Sequence, residues 1–271
     1  MPDFLEEMAH ESSRRASLAR DRSADLESRA TQSPPPVVLD LSAPGFDVIA
    51  EVKMASPSEG SLVSGPPDTA TLVELAGAYE QGGAAAISVL TETTSFQGSI
   101  ADLEAVAAAV PLPAMRKDFL VDPIQVLEAR AAGASGVLLI VRMLPGELLE
   151  ELTDRTLDLG MFVLVEVFDR SDLESAARVF DRDVLVGVNS RDLSSLEVDL
   201  SRFESLAPHL PDHLPAVAES GLNTADDVAT VAGLGYRMAL VGSSLVRSSD
   251  PASTLGTILQ AGRARLEEDP S

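Results

Sequence analysis

Residues 112–144 read LPAMRKDFLVDPIQVLEARAAGASGVLLIVRML. An apolar run over 112–119 gives way to a helical pattern over 124–132, and a second apolar run follows at 135–144. Strand, helix and strand within roughly 30 residues make the repeating unit of a parallel sheet, whose strands are covered on both faces and so read as continuous Val, Ile and Leu. The same alternation runs outward in both directions. Further apolar runs stand at 47–54, 84–92, 162–167, 183–191, 214–221 and 238–246, and helical stretches at 69–81, 147–157, 171–179, 225–233 and 252–266. Eight such strands predict a single (β/α)8 TIM barrel of the α/β class; an open doubly wound sheet is the competing closure.

The residues ahead of the first run are polar and charged. Phe4, Leu5, Met8, Leu18 and Leu26 are spaced as in one or two helices, and Ser33-Pro34-Pro35-Pro36 breaks the pattern before residues 40–45 lead into the first strand. The expected division is a helical extension over 1–46, packed on the barrel, and a catalytic barrel domain over 47–271.

The 271 residues, 45% hydrophobic, suffice for one large core. Cysteine is absent, which removes disulfides, thiolate nucleophiles and cysteine metal sites. The three histidines, His10, His209 and His213, give a metal centre or a Ser-His-Asp triad little to stand on. A net charge of −23 argues against nucleic acid or an anionic membrane as partner, and an anionic substrate requires a local positive pocket. Adaptation to high salt or a GC-rich genome would each explain that charge. The charged opening, MPDFLEEMAHESSRR, and the lack of a long apolar run point to a cytoplasmic protein.

Lysine occurs twice, as Lys53 and Lys117, against 18 arginines. A chain that meets its ordinary cation needs with Arg keeps Lys for what guanidinium cannot do, such as releasing a proton. Both lysines fall at strand C-termini, where such barrels carry their reactive groups. The plainer reading makes each a salt-bridge partner of a carboxylate in the barrel mouth. Other polar residues at strand ends are Glu51, Glu166, Asn189, Arg191, Glu219 and Ser220. Glu166, alone in the apolar VLVEV of 163–167, must face the polar mouth or pair with a cation. Small residues suited to an oxyanion follow three strands: Ser56 to Gly60, Ser220-Gly221, and Gly242-Ser243-Ser244, with a short helix opening at Ser243.

The segments IAEVKMASPSEG from Ile49, ISVLTETTSFQGS from Ile87, MRKDFLVDPIQVLEARAAGASGVLLI from Met115, LVEVFD from Leu164, VGVNSRDL from Val186, AESGLNTADDV from Ala218 and LVGSSLVR from Leu240 closely resemble indole-3-glycerol phosphate synthase. The resemblance spans residues 47 to about 250 in order. It implies a phosphorylated small-molecule substrate, 1-(2-carboxyphenylamino)-1-deoxyribulose 5-phosphate, that cyclises with loss of CO₂ and water and needs no cofactor and no metal. It implies Lys117 as the general acid; on physical grounds an ammonium in a low-dielectric mouth can be lowered toward working pH. Lys53 would hold the substrate's anionic ends and share the proton work. Glu166 would be the base of dehydration, with Glu51 and Asn189 on the hydroxyls and the anilino nitrogen. Arg191 and Glu219 would line the pocket, Phe96, Phe119 and Leu138 would bed the aromatic ring, and Ser56, Ser220, Gly221, Gly242 and Ser243 would contact the phosphate. Met54 and Glu59 stand where the family commonly carries basic residues, an expected loss of positive charge at the mouth.

The competing functions are a sibling phosphate-binding barrel, such as phosphoribosylanthranilate isomerase or the tryptophan synthase α-chain, and a non-catalytic barrel that binds a phospholigand. An isomerase of that type would use a Cys or Asp base and an Asp acid; the chain has no Cys, its Lys-Lys-Glu set fits neither sibling, and a non-catalytic barrel would be expected to have lost an acid or a base. A paralogue serving a secondary-metabolite cluster would read identically. The expected assembly is a monomer or weak homodimer.

Overall fold

The computed structural model describes residues 4–41, 45–56, 60–61, 68–193 and 195–268. Eight parallel strands close into a barrel in sequence order: β1 (Asp47–Val52), β2 (Ala86–Leu90), β3 (Ala114–Lys117), β4 (Gly136–Ile140), β5 (Phe162–Val167), β6 (Leu185–Asn189), β7 (Ala216–Glu219) and β8 (Met238–Val241), with β8 returning to β1. The open doubly wound sheet is thereby excluded. Helices α3 (Thr69–Gln81), α4 (Ile100–Ala109), α5 (Pro123–Ala131), α6 (Gly146–Asp158), α7 (Arg170–Ala176), α8 (Ser201–Leu206), α9 (Ala225–Gly233), α10 (Ser243–Val246) and α11 (Pro251–Glu268) follow the strands.

Strand β5 shows why the sequence closes this way. Val163, Val165 and Val167 point outward into the layer between strands and helices, while Leu164 points into the barrel. Successive side chains alternate faces, so Glu166 shares the inner face with Leu164. Helix starts are fixed locally. The Asp122 carboxylate accepts from Ile124 N with Pro123 in the first turn of α5, and Thr224 and Asp227 form a reciprocal capping box on α9.

The strands are shorter than the apolar runs that announce them. Run 135–144 ends as strand at Ile140 and turns into a 3₁₀ segment at Val141–Met143, and run 238–246 ends at Val241 before α10 opens at Ser243. The apolar residues past each strand end still pack, Val141 and Leu245 being buried, so hydrophobicity continues where the ladder does not. Helices α4 and α8 lie outside the helical stretches read above. Helix α4 is alanine-rich with weak apolar periodicity, and α8 has six residues.

Ahead of the barrel, α1 (Phe4–Arg20) and α2 (Ser23–Gln32) are both present. Leu5 and Met8 of α1 belong to the apolar cluster that fills the barrel interior and its mouth, beside Phe119 and Phe168. Helix α2 packs on α5 through Leu26 and Ala30 against Leu127 and Ala131. The chain then passes beneath the barrel, where Leu39 and Leu41 join Phe162 and Ala85. The extension thus covers the barrel from mouth to base.

Candidate active site

At the C-terminal mouth, β1 turns Glu51 inward and delivers Lys53 just beyond its end, while β3 ends on Lys117. Glu51 lies between the two lysines: Lys53 Nζ is 2.8 Å from Oε1 and Lys117 Nζ is 3.8 Å from Oε2. The salt-bridge reading of the lysines is therefore realised: both pair with Glu51 in the barrel mouth. Across the barrel, Asn189 Nδ2 donates to Glu166 Oε2 at 3.0 Å, and the Arg191 amide donates to Asn189 Oδ1 at 2.9 Å. Arg191 also donates through its guanidinium to Leu196 O at 2.9 Å. Glu219, at the end of β7, is buried and faces Glu166.

These environments separate the carboxylates. Burial raises the Glu51 carboxyl, but Lys53 and Lys117 outweigh it and hold Glu51 below the usual range. Burial pushes Glu166 up, against the pull of Lys117 and the Asn189 amide. Glu219 is pushed up furthest, by burial and by the facing Glu166, so the pair holds a proton where isolated carboxylates would not. Burial pulls the Lys117 ammonium down, yet Glu51, Glu166 and Glu219 together hold it above its ordinary value. The expectation of a lowered Lys117 is thus corrected: three carboxylates face it, and they outweigh desolvation.

A cavity of about 370 Å³ opens above this cluster. Lys53, Lys117, Asn189, Arg191 and Glu219 line it, with Glu166 buried beneath. Ser56, Ser220, Gly221, Gly242 and Ser243 line it on the side of β7, β8 and β1. Ser220 and Gly221 take consecutive left-handed conformations, φ +68° and +74°, and the Ser190 hydroxyl donates to Ser220 O at 2.9 Å. Gly242 must lack a side chain, because a Cβ there would stand 2.6 Å from Glu51 Oε1. Pro57, Ser58 and Glu59 lie outside the described residues.

The apolar residues divide differently from expectation. Phe96 lines the cavity, whereas Phe119 and Leu138 are buried in the cluster that supports it, with Phe96 and Phe119 rings 6.1 Å apart. Met54 takes no charge from the mouth, since alternation turns it outward into the layer of Val52 and Leu72. Sequence reasoning missed Phe4 of α1, which lines the cavity and meets Phe119 edge-on at 5.9 Å. It also missed the wall of Leu193, Leu196, Val198 and Leu200. Apolar residues spaced through an otherwise polar loop were the available signal.

Two other features stand apart from the cluster. A larger concavity of about 1020 Å³ lies between the ends of α9 and α11 near Arg237 and Arg263, at the opposite end of the barrel. His209 contacts Arg170 at 2.8 Å and His213 contacts Phe180 O at 2.9 Å; among the described residues no cluster of His, Asp or Glu is arranged to hold a metal ion.

Buried carboxylates and lysines gathered at the C-terminal mouth of a closed parallel barrel place the chain among the (β/α)8-barrel enzymes. A solved thiamine phosphate pyrophosphorylase from Pyrococcus furiosus has a similar fold, with a TM-score of 0.57 at 17% identity, covering 82% of this chain and 97% of that one. Residues 5–258 match the indole-3-glycerol phosphate synthase family. Relatives bearing that name include one from Mycolicibacterium smegmatis, 48% identical over 241 residues (88% of this chain, 86% of the relative), and one from Rhodococcus opacus, 47% identical over 247 residues (88% and 87%). The chain belongs to the indole-3-glycerol phosphate synthase family.

Proposed function

We propose that this protein converts 1-(2-carboxyphenylamino)-1-deoxyribulose 5-phosphate to indole-3-glycerol phosphate in tryptophan biosynthesis, with the mouth cluster as its catalytic centre. The observation that carries the reading is the placement of Lys117 among three carboxylates at the floor of a cavity with glycine-serine turns on one side and Phe96 and Phe4 lining it as well. Two anchors fold the flexible sugar onto the aryl ring, a positioning problem worth up to about 7–11 kcal/mol.

Each step then has a group in reach. The aryl carbon bearing the carboxylate bonds to the ribulose carbonyl carbon as Lys117 gives its proton to the carbonyl oxygen. The carboxylate leaves as CO₂, and its electron pair restores the aromatic ring. The new hydroxyl leaves as water with a proton that Lys53 helps supply, while Glu166 takes the proton from the neighbouring methylene carbon. A carboxyl raised by burial suits that base role, because a base is most effective near working pH. Glu51 holds the lysines and, with Asn189, the substrate's hydroxyls and anilino nitrogen; Arg191 and Glu219 complete the wall. Ser56, Ser220, Gly221, Gly242 and Ser243 receive the phosphate. The sequence is redox-neutral and requires no cofactor.

The reading keeps residues 1–46 as a helical extension packed on a catalytic barrel of residues 47–271, in a cytoplasmic monomer or weak dimer; among the described residues no helix is long and apolar enough to cross a membrane. Incubating the purified protein with the substrate should produce indole absorbance and fluorescence. Turnover lost in Lys117→Ala and Glu166→Gln variants supports the assignment, and no product from folded wild-type protein overturns it.

A further inference from the structure

Among the described residues, Arg15 is a cation at the mouth that the chemistry above does not use. Arg15 of α1 reaches across the ends of two strands, with one guanidinium nitrogen 3.3 Å from Glu92 Oε1 and the other 2.6 Å from Asp118 Oδ1. Both carboxylates are fully buried. We propose that Arg15 is a positioning residue for this reaction: it clamps α1 over the mouth and sets the loop of Phe96 and the strand end of Lys117 relative to each other. The proposal rests on the reading of the mouth cluster given above.

The connections on each side are short. The Glu92 carboxylate accepts from the amides of Thr94, Ser95 and Phe96 at 2.8, 2.6 and 3.1 Å, so it shapes the turn that presents Phe96 to the cavity. Asp118 directly follows Lys117. Its Oδ1 accepts from Phe119 N at 2.8 Å, and its Oδ2 accepts from Thr91 Oγ1 at 2.8 Å and from Arg116 at 3.1 Å. Asp118 therefore has a second cation, whereas Arg15 is the cation paired with Glu92 among the described residues. Ser12, one turn earlier on α1, donates to Phe119 O and accepts from Gln125 at 2.9 Å, which holds the helix in register.

A planar fork spans two carboxylates on different strands with fixed geometry, whereas an ammonium is more compact and its rotatable donors orient them less well. Removing the fork leaves Glu92 buried without its counter-charge, and the turn beneath Phe96 must rearrange. A displacement near 1 Å at a reacting group is enough to cost up to about 10²-fold in rate.

The test compares Arg15→Met and Arg15→Lys with wild type, measuring Tm, KM and kcat at a temperature where all three are folded. Arg15→Met should lower kcat about tenfold and raise KM several-fold while still folded at that temperature. Arg15→Lys should keep most of the wild-type Tm and recover part of kcat. Combining Arg15→Met with Glu92→Gln should add little to the kinetic loss of either alone, since both act through one contact. If Arg15→Met does not fold, the proposal stands or falls on Arg15→Lys and Glu92→Gln. A folded Arg15→Met or Glu92→Gln with kcat and KM within twofold of wild type, or an Arg15→Lys altered in Tm alone, reduces Arg15 to a structural tie. Inactive wild-type protein would instead remove the functional reading itself.

Discussion

Gly187→Ala should damage the site through a single atom. Gly187 lies on β6 two residues before Asn189, the register partner of Glu219, and a Cβ built there would stand 2.0 Å from Glu219 Oε1 and 3.1 Å from Leu164 Cδ1, where ordinary contact begins at 3.4 Å. The Glu219 carboxyl must therefore move by about 1.4 Å, in a barrel interior with Leu164 already against the same methyl. Overpacking of this kind costs about 1–3 kcal/mol of stability, a few degrees in Tm. Displacing a carboxyl that faces Lys117 and Glu166 should lower kcat/KM by about 10²-fold, equivalent to roughly 2.7 kcal/mol. The assay is steady-state formation of indole alongside thermal melts. A Glu219→Ala background supplies the control: with the carboxyl gone, the stability penalty of Gly187→Ala should largely vanish. A single Gly187→Ala variant with kinetics within twofold of wild type, or a penalty that persists without Glu219, would refute the argument that glycine is required there by Glu219.

Lys117→Arg should abolish turnover nearly as fully as Lys117→Ala, a loss of at least about 10² in kcat, because guanidinium releases its proton poorly; an Arg variant retaining more than about a tenth of wild-type kcat would move the proton donor to Lys53. Glu219→Gln should raise Tm at pH 8 and lose that advantage as pH falls toward 4.5. The folded-state Glu219 carboxyl lies well above 4.5, so its contribution is present in acid and declines as pH rises through the raised value. A Tm difference independent of pH would contradict the buried proton. Raising KCl from low to molar concentration should increase both Tm and kcat/KM, since the −23 charge repels itself and the anionic substrate; a flat or falling Tm would leave genome composition to explain the acidity.

The barrel was legible because a parallel strand covered on both faces has no choice but to be apolar, and eight such runs at regular intervals leave few closures. Glu166 stood out for the same reason, as a lone charge in such a run. The bias of 18 arginines to two lysines pointed to Lys53 and Lys117, and both come together on Glu51. What escaped reading depends on the third dimension. The coupling of Glu219 to Glu166 arises because strands 53 residues apart in sequence face one another, which no local pattern records. Phe4 reaches the cavity because α1 lies across the mouth, and its helix looks like any polar amphipathic helix from sequence. Met54 is different: with Glu51 and Lys53 inward, period two already turned Met54 outward, so its supposed effect on mouth charge could have been rejected at the outset.

The same geometry explains how a chain of net charge −23 can receive a substrate bearing phosphate and carboxylate. Lys53, Lys117 and Arg191 line the cavity, while burial raises Glu219 and, less strongly, Glu166, which favours their neutral forms, and the two lysines hold Glu51 below its usual range. Locally the sign of the charge is reversed. Surface carboxylates act across water and are screened within about 10 Å at ordinary ionic strength, whereas the cavity cations act at contact distance in a poorly solvated floor. The acidic exterior should therefore slow encounter more than it weakens the bound state, and salt should act chiefly on kcat/KM. Substrate anions arriving beside Lys117 reinforce its protonation. In the proposed mechanism that proton leaves when negative charge develops on the carbonyl oxygen, which is the moment at which ring closure requires it.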